Sequence, residues 1–146
     1  EGVEVRLRPE TTGKSSQFGT LDEVLELSAG IDGVLPCVDF AHLHARSGAD
    51  NSYEEFSKQL KMVKGRLGPP GLEDMHIHLS GIEYNHSGER NHLMLEDADL
   101  AYVELLQALI DNGVRGRILS ESPDMETDAL LLQKTYRALW RGSSPR

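Results

Sequence analysis

Apolar positions along this chain alternate between two periods: a short extended run, then a longer stripe at helical spacing, four times over. Val3 to Pro9 reads as the first strand. Leu21, Val24, Leu25 and Leu27 then form one stripe of a helix that Thr20 caps, with Glu23 three residues on completing a capping box. Gly33 to Asp39 (GVLPCVD) is the second strand, and Ser52 to about Leu67 the second helix, again opened by a Ser with Glu55 three residues on. Glu73 to Leu79 (EDMHIHL) is the third strand. The helix from about Ala98 to Asn112 follows, with Gly113 placed to end it. Gly116 to Ser120 (GRILS) is the fourth strand, and the last helix runs from about Met125 to Trp140, leaving GSSPR as a frayed tail.

Four βα units in succession predict an α/β fold with a parallel sheet covered by amphipathic helices. Pro36 sits inside the second strand, where it brings no N–H to a ladder. Residues 40–51 and 80–97 are expected to be long connections. Connections of that length after strands are usually functional or disordered, and these hold His42, His44, His86 and His92. No linker or low-complexity segment marks a second domain, so residues 1–146 are taken as one unit.

Composition changes the picture in two ways. Fifteen Lys and Arg stand against 24 Asp and Glu, a formal net charge of −9. That argues against a basic surface tracking phosphates but leaves divalent cations open, since they bind where carboxylates and imidazoles meet and bring positive charge of their own. Cys37 is the single cysteine, which excludes an intramolecular disulfide and leads to the expectation of an intracellular, cytoplasmic setting. No stretch approaches the apolar length of a membrane span.

Candidate chemistry gathers at the strand ends. Glu10, Asp39, His78 and Glu121 close the four strands in turn, 29, 39 and 43 residues apart. In a parallel sheet or barrel those positions emerge on one face, where polar sites collect. Two Glu, one Asp and one His suit a divalent metal, with imidazole favouring Zn2+ or Mn2+. Taken singly, Glu10 or Asp39 would serve equally as a helix N-cap or a solvated loop residue, and His78 as a hydrogen-bonded core histidine. Asp39 and His42 are spaced to face one centre, and His76 shares a strand face with His78. Lys14 and Arg46 lie on the same face as candidates to neutralise a phosphate. There is no GxGxxG after a strand, no P-loop, no GxSxG elbow and no CxxC pair. Dinucleotide binding, P-loop chemistry, the common hydrolase triad and a zinc ribbon are thereby demoted.

RPETTGK (Arg8 to Lys14), DFAHLHAR (Asp39 to Arg46), HLSGIEYNHSGERNHLML (His78 to Leu95) and SESPD together resemble the C-terminal half of endonuclease IV, the apurinic/apyrimidinic endonuclease family, most closely its archaeal-type branch. The resemblance covers nearly the whole chain. It implies a (β/α)₈ TIM barrel of the xylose-isomerase-like superfamily, up to three Zn2+ (Mn2+ as an alternative), and hydrolysis of the phosphodiester 5′ to an abasic site in double-stranded DNA. By position, Glu10 is similar to the carboxylate bridging two metals and Glu121 to the last-strand glutamate. These two are also the implied catalytic residues. Asp39 and His78 resemble the remaining ligands of one metal, and His42 a ligand of the third. The family's Asp-x-His in the third-strand loop reads Glu89-Arg90-Asn91 here, so Glu89 stands in for the Asp and His92 would replace the His by a one-residue shift.

Four βα units are half of what a TIM barrel needs, and two histidine ligands of the family have no counterpart here. With Glu1 directly preceding a strand-like run, the expectation is the C-terminal half of a barrel, completed by an N-terminal half, a second copy or a partner chain. Two alternatives stay open. Glu10, Asp39, His78 and Glu121 also match the single-metal set of sugar isomerases and epimerases of the same superfamily. The third reading is an inactive half-barrel.

Overall fold

Two prolines set how the sheet begins. The computed structural model describes residues 5–143, so Val3 and Glu4 of the expected first strand and Ser144 to Arg146 of the expected tail lie outside the described residues. The strands are β1 (Cys37–Asp39), β2 (Met75–Leu79), β3 (Gly81–Asn85), β4 (Gly88–Leu93) and β5 (Gly116–Ser120). The helices are α1 (Leu21–Gly30), α2 (Phe40–Ser47), α3 (Tyr53–Leu67), α4 (Tyr102–Asp111) and α5 (Met125–Ser143). The expected first strand is an extended segment that runs parallel to residues 33–37 through isolated bridges. Leu7 N–H donates to Gly33 O, Leu35 N–H to Leu7 O, Cys37 N–H to Pro9 O and Thr11 N–H to Cys37 O. Pro9 lacks the one N–H that would join these into a continuous ladder. Pro36 acts on the opposite edge: its neighbour Cys37 donates toward Pro9, so position 36 faces β2, and regular pairing there starts only at Cys37.

β1, β2 and β5 are parallel in that order, with Cys37 opposite His76, Asp39 opposite His78 and Ile77 opposite Ile118. With the bridged segment on the far side of β1, four parallel stretches lie side by side in chain order, the α/β half-barrel that the βα count predicts. Among the described residues the sheet does not close on itself. Helices α1, α3, α4 and α5 pack in succession along its outer face. Phe40 meets Phe56 edge-on at 5.9 Å between ring centroids, within a core that includes Leu25, Leu60, Ile77, Leu79, Leu105 and Leu106.

Both long connections are structured, which corrects the sequence reading. Residues 40–47 form α2, with Asp39 as its N-cap. The local sequence Ala41-His42-Leu43-His44-Ala45-Arg46 alternates apolar and polar and hides the helical period. Within residues 80–97, β3 and β4 form an antiparallel hairpin, followed by a single 3-10 turn over Leu95–Asp97. Helix α4 begins at Tyr102 rather than near Ala98, whose backbone is extended. The buried Asp128 of α5 then fixes two segments at once: Oδ2 accepts Leu95 N–H at 2.8 Å and a very short bond from the Ser122 hydroxyl. This anchors the stretch that carries Glu121. No helix among the described residues is long and apolar enough to cross a membrane.

Candidate metal centre

Strand β2 alternates strictly: Met75, Ile77 and Leu79 are buried toward the helices, which turns His76 and His78 to the opposite face. Glu121 N–H donates to Leu79 O, extending the β2–β5 ladder by one residue, and Glu10 is bridged to Cys37. The register thereby brings the four expected strand-end residues together. Glu10, Asp39, His78 and Glu121 each present one ligand atom, and these atoms lie within 4.8 Å of one another. His78 Nδ1 stands 3.0 Å from Glu10 Oε1 and 3.1 Å from Glu121 Oε1.

Asp39 divides its two oxygens between structure and site. Oδ1 accepts His42 N–H at 2.8 Å as the α2 cap, whereas Oδ2 is buried without a hydrogen-bond partner. An orphaned carboxylate oxygen beside two more carboxylates and an imidazole is the donor set a divalent cation requires, so the residues fit the metal that the strand-end pattern implies.

A second group adjoins the first. His42 Nε2 lies 3.2 Å from Glu89 Oε2 and 3.4 Å from His92 Nε2. Two ligands of a tetrahedral zinc at about 2.0–2.1 Å stand about 3.3–3.4 Å apart, so these spacings suit a shared ion. Both rings are turned the right way: His42 Nδ1 is 2.9 Å from Thr11 O and His92 Nδ1 is 2.8 Å from Glu121 O, which leaves each Nε2 to offer its lone pair. Glu89 and His92 are three apart and would point to opposite faces of a regular strand. A β-bulge removes that conflict: Tyr84 pairs with Glu89 and Glu83 with Asn91, leaving Arg90 as the extra residue that resets the phase. Asn91 instead reaches Glu83 Oε2 at 2.6 Å. The two groups adjoin, with His42 Nδ1 at 3.5 Å from both Glu10 Oε1 and Asp39 Oδ2.

The hairpin can dock here only because two glycines touch. A Cβ on Gly88, at φ +99°, would collide with Gly13 O, and one on Gly13 would run into the Glu89 side chain. Gly13 N–H donates to Glu89 Oε2 at 3.0 Å, and Glu89 N–H to Gly13 O at 3.1 Å.

Thr11 is a supporting residue that the sequence reading missed. Fully buried, its hydroxyl accepts Asp39 N–H at 2.8 Å and donates to Asp39 O at 3.1 Å, while its own carbonyl fixes the His42 tautomer. Position next to Glu10 is the one local sign of that role. Arg46, in contrast, is committed elsewhere. Its guanidinium donates to the carbonyls of Thr12, Lys14, Ser15 and Gln17, clamping the loop after Glu10. Arg46→Ala is therefore expected to destabilise the fold by about 1–3 kcal/mol in urea unfolding, and Arg46→Lys to recover little, since an ammonium cannot span four carbonyls as the planar fork does. Lys14 is exposed.

Electrostatics mark a site short of positive charge. Burial pushes the Asp39 carboxyl above its ordinary range, and the Glu10 and Glu121 charges add to this against the pull of His42. Burial lowers the His42 pKa, but Asp39, the Thr11 carbonyl, Glu89 and Glu10 outweigh it and the net shift is upward. Both shifts favour the protonated form of the group, the direction that closely gathered carboxylates impose. The Cys37 thiol is pushed up to about 12, by burial first and then by Glu10, Asp39 and Glu121. His76 is lowered by burial and by the neighbouring His78, Arg8 and Arg117. Cys37, His76 and His78 also bring ligand atoms within 4.8 Å of one another. Two loop histidines fall outside these groups. His44 is buried against Ala49 O and Asp99, and His86 is exposed at the hairpin turn.

Residues 1–140 match the family described as Xylose isomerase-like TIM barrel. An uncharacterized protein of Methanocaldococcus jannaschii is 49% identical over 138 residues, 94% of this chain and 50% of that protein. The crystal structure of AsfvAP:AG superposes with a TM-score of 0.66 at 18% identity, over 96% of this chain and 55% of that one, a likeness of fold alone. The chain thus spans about half the length of the proteins it matches.

Proposed function

The chain belongs to the xylose isomerase-like TIM barrel family, and from that premise we propose that it forms the C-terminal, ligand-rich half of a metal-dependent endonuclease of the endonuclease IV type, hydrolysing the phosphodiester 5′ to abasic sites in double-stranded DNA. The observation that carries this reading is the second ligand group. A single-metal isomerase needs only Glu10, Asp39, His78 and Glu121, whereas His42, Glu89 and His92 stand ready beside them at spacings that suit a further ion. Bound divalent ions supply Lewis acidity toward a phosphodiester and stabilise charge on the attacked and departing oxygens. Zn2+ suits the mixed carboxylate and imidazole donors.

The chain's own residues do the rest. Glu10 faces both groups, 3.0 Å from His78 and 3.5 Å from His42, and so ties their geometries together. Thr11 and the α2 cap hold Asp39 with one oxygen aimed inward. The docked hairpin delivers Glu89 and His92 from a segment flanking the open face, where a duplex would approach. An abasic nucleotide has no base to unstack, so its extrusion requires little. The acidic chain then holds an anionic substrate through its cations.

The test is cleavage of an abasic-site duplex by the full-length protein, together with its metal content. Zinc-dependent incision on the 5′ side supports the reading. One bound ion per chain with aldose–ketose interconversion and no incision would select the sugar isomerase instead, for which the complete four-residue group is the favouring observation. His92→Ala is expected to remove one ion per chain while Asn91→Ala leaves the count unchanged. The opposite result would return the third ligand to position 91.

A further inference from the structure

We infer that His76 is a positioning residue for His78, accepting the Nε2–H of that ring so that His78 faces the strand-end centre through Nδ1. The inference rests on the metal reading of the Glu10, Asp39, His78 and Glu121 group and on nothing about the reaction. Its basis is the arrangement of the two rings. They project from the same face of β2, with centroids 5.2 Å apart, planes inclined by 58° and the two Nε2 atoms 3.2 Å apart.

A neutral imidazole carries one N–H and one lone pair. His78 Nδ1 points at the Glu10 and Glu121 oxygens, at 3.0 and 3.1 Å, and belongs to the four-ligand group. For that nitrogen to offer its lone pair to an ion, Nε2 must hold the proton, and the atom in front of Nε2 must accept it. That atom is His76 Nε2.

Ligating histidines usually lean on a carboxylate or a backbone carbonyl in this way, which fixes ring and tautomer. A second imidazole does the same here without adding negative charge to a centre that already gathers three carboxylates. The strand holds His76 in place, since it is paired with Cys37 on one side and Arg117 on the other. A different arrangement of the same atoms, an ion held by Cys37, His76 and His78, would require His78 Nε2 to be a ligand instead of a donor.

Calorimetric titration of the full-length protein with Co2+ separates these cases, using the parent, His76→Ala and His76→Gln. Circular dichroism of the metal-free forms reports on folding. His76→Ala is expected to bind Co2+ about 10–100-fold more weakly at this centre, the range seen when such supporting partners are lost. His76→Gln, whose Oε1 takes the place of Nε2 as acceptor, should return to within several-fold of the parent. Long-range proton–nitrogen correlation on the Zn2+-loaded parent should show His78 protonated at Nε2, a readout independent of whether either variant folds.

Parent-like affinity in a folded His76→Ala, or His78 protonated at Nδ1, would overturn the inference while leaving the metal reading intact. A thiolate-to-cobalt charge-transfer band that disappears in Cys37→Ser would overturn it in favour of the alternative ion. A parent that takes up no Co2+ would overturn both.

Discussion

Replacing Glu121 by Gln is expected to lower metal-dependent cleavage of an abasic-site duplex by at least about a hundredfold, because loss of a group that only supports a ligand costs about 10–100-fold and Glu121 offers its own carboxylate to the proposed centre. The fold should not change. Glu121 is fixed by its backbone, through the bond to Leu79 O, and by the Ser122–Asp128 contact that follows it, neither of which uses its carboxylate. Its side chain is one-third exposed and touches His78 at 3.1 Å, so an amide of the same shape fits. What the amide lacks is the charge and the second equivalent oxygen that a cation uses. Ion content should fall together with activity while the circular dichroism spectrum stays unchanged. Unaltered cleavage by this variant would sink the site assignment.

Asp39→Asn should do two opposite things. Asp39 is fully buried, and its folded pKa lies above its ordinary value. For an acid raised in this way, the stabilising contribution is present below the ordinary carboxylate range and is lost as pH rises through the folded value. Ionising this carboxyl as pH rises therefore works against the fold. The upward shift of His42 acts in the same direction, its contribution fading as pH rises past the imidazole range.

Asn keeps the α2 cap, since its carbonyl oxygen can still accept His42 N–H, and its amide can donate to the neighbouring carboxylates. The metal-free variant should gain about 0.5–2 kcal/mol, in the range typical of relieving strain at a functional site. Zinc should then stabilise it far less than the parent. At about a thousandfold over Kd an ion adds about 4 kcal/mol, which is about 8–16 °C in Tm for a domain of this size. Thermal unfolding at neutral pH with and without Zn2+ measures both effects. A metal-free variant less stable than the parent, or one that keeps the full zinc shift, would show that Asp39 serves the fold alone.

How much of this was legible beforehand varied by element. The Thr20 and Ser52 caps lay where the sequence placed them, because a capping box is a signal confined to four residues. Strand β5 matched residue for residue, bounded by Gly116 and the turn after Ser120. Residues 40–47, expected to belong to a connection because the Ala-His-Leu-His-Ala-Arg order shows no helical period, form α2. Arg46 looked free for phosphate only because the carbonyls that consume its donors belong to residues 29 to 34 positions away.

By itself the sequence determined the residue types at the four strand ends and the βα order, since alternation, capping and strand spacing are properties of neighbours along the chain. Only the tertiary structure decided which of those groups meet. The bulge at Arg90 that swings His92 beside Glu89, the glycine contact that docks the hairpin and the Thr11 clamp all depend on phase and register. Those quantities are set between segments as much as 76 residues apart, where Gly13 meets Glu89, and a local pattern of apolar and polar positions carries no record of them.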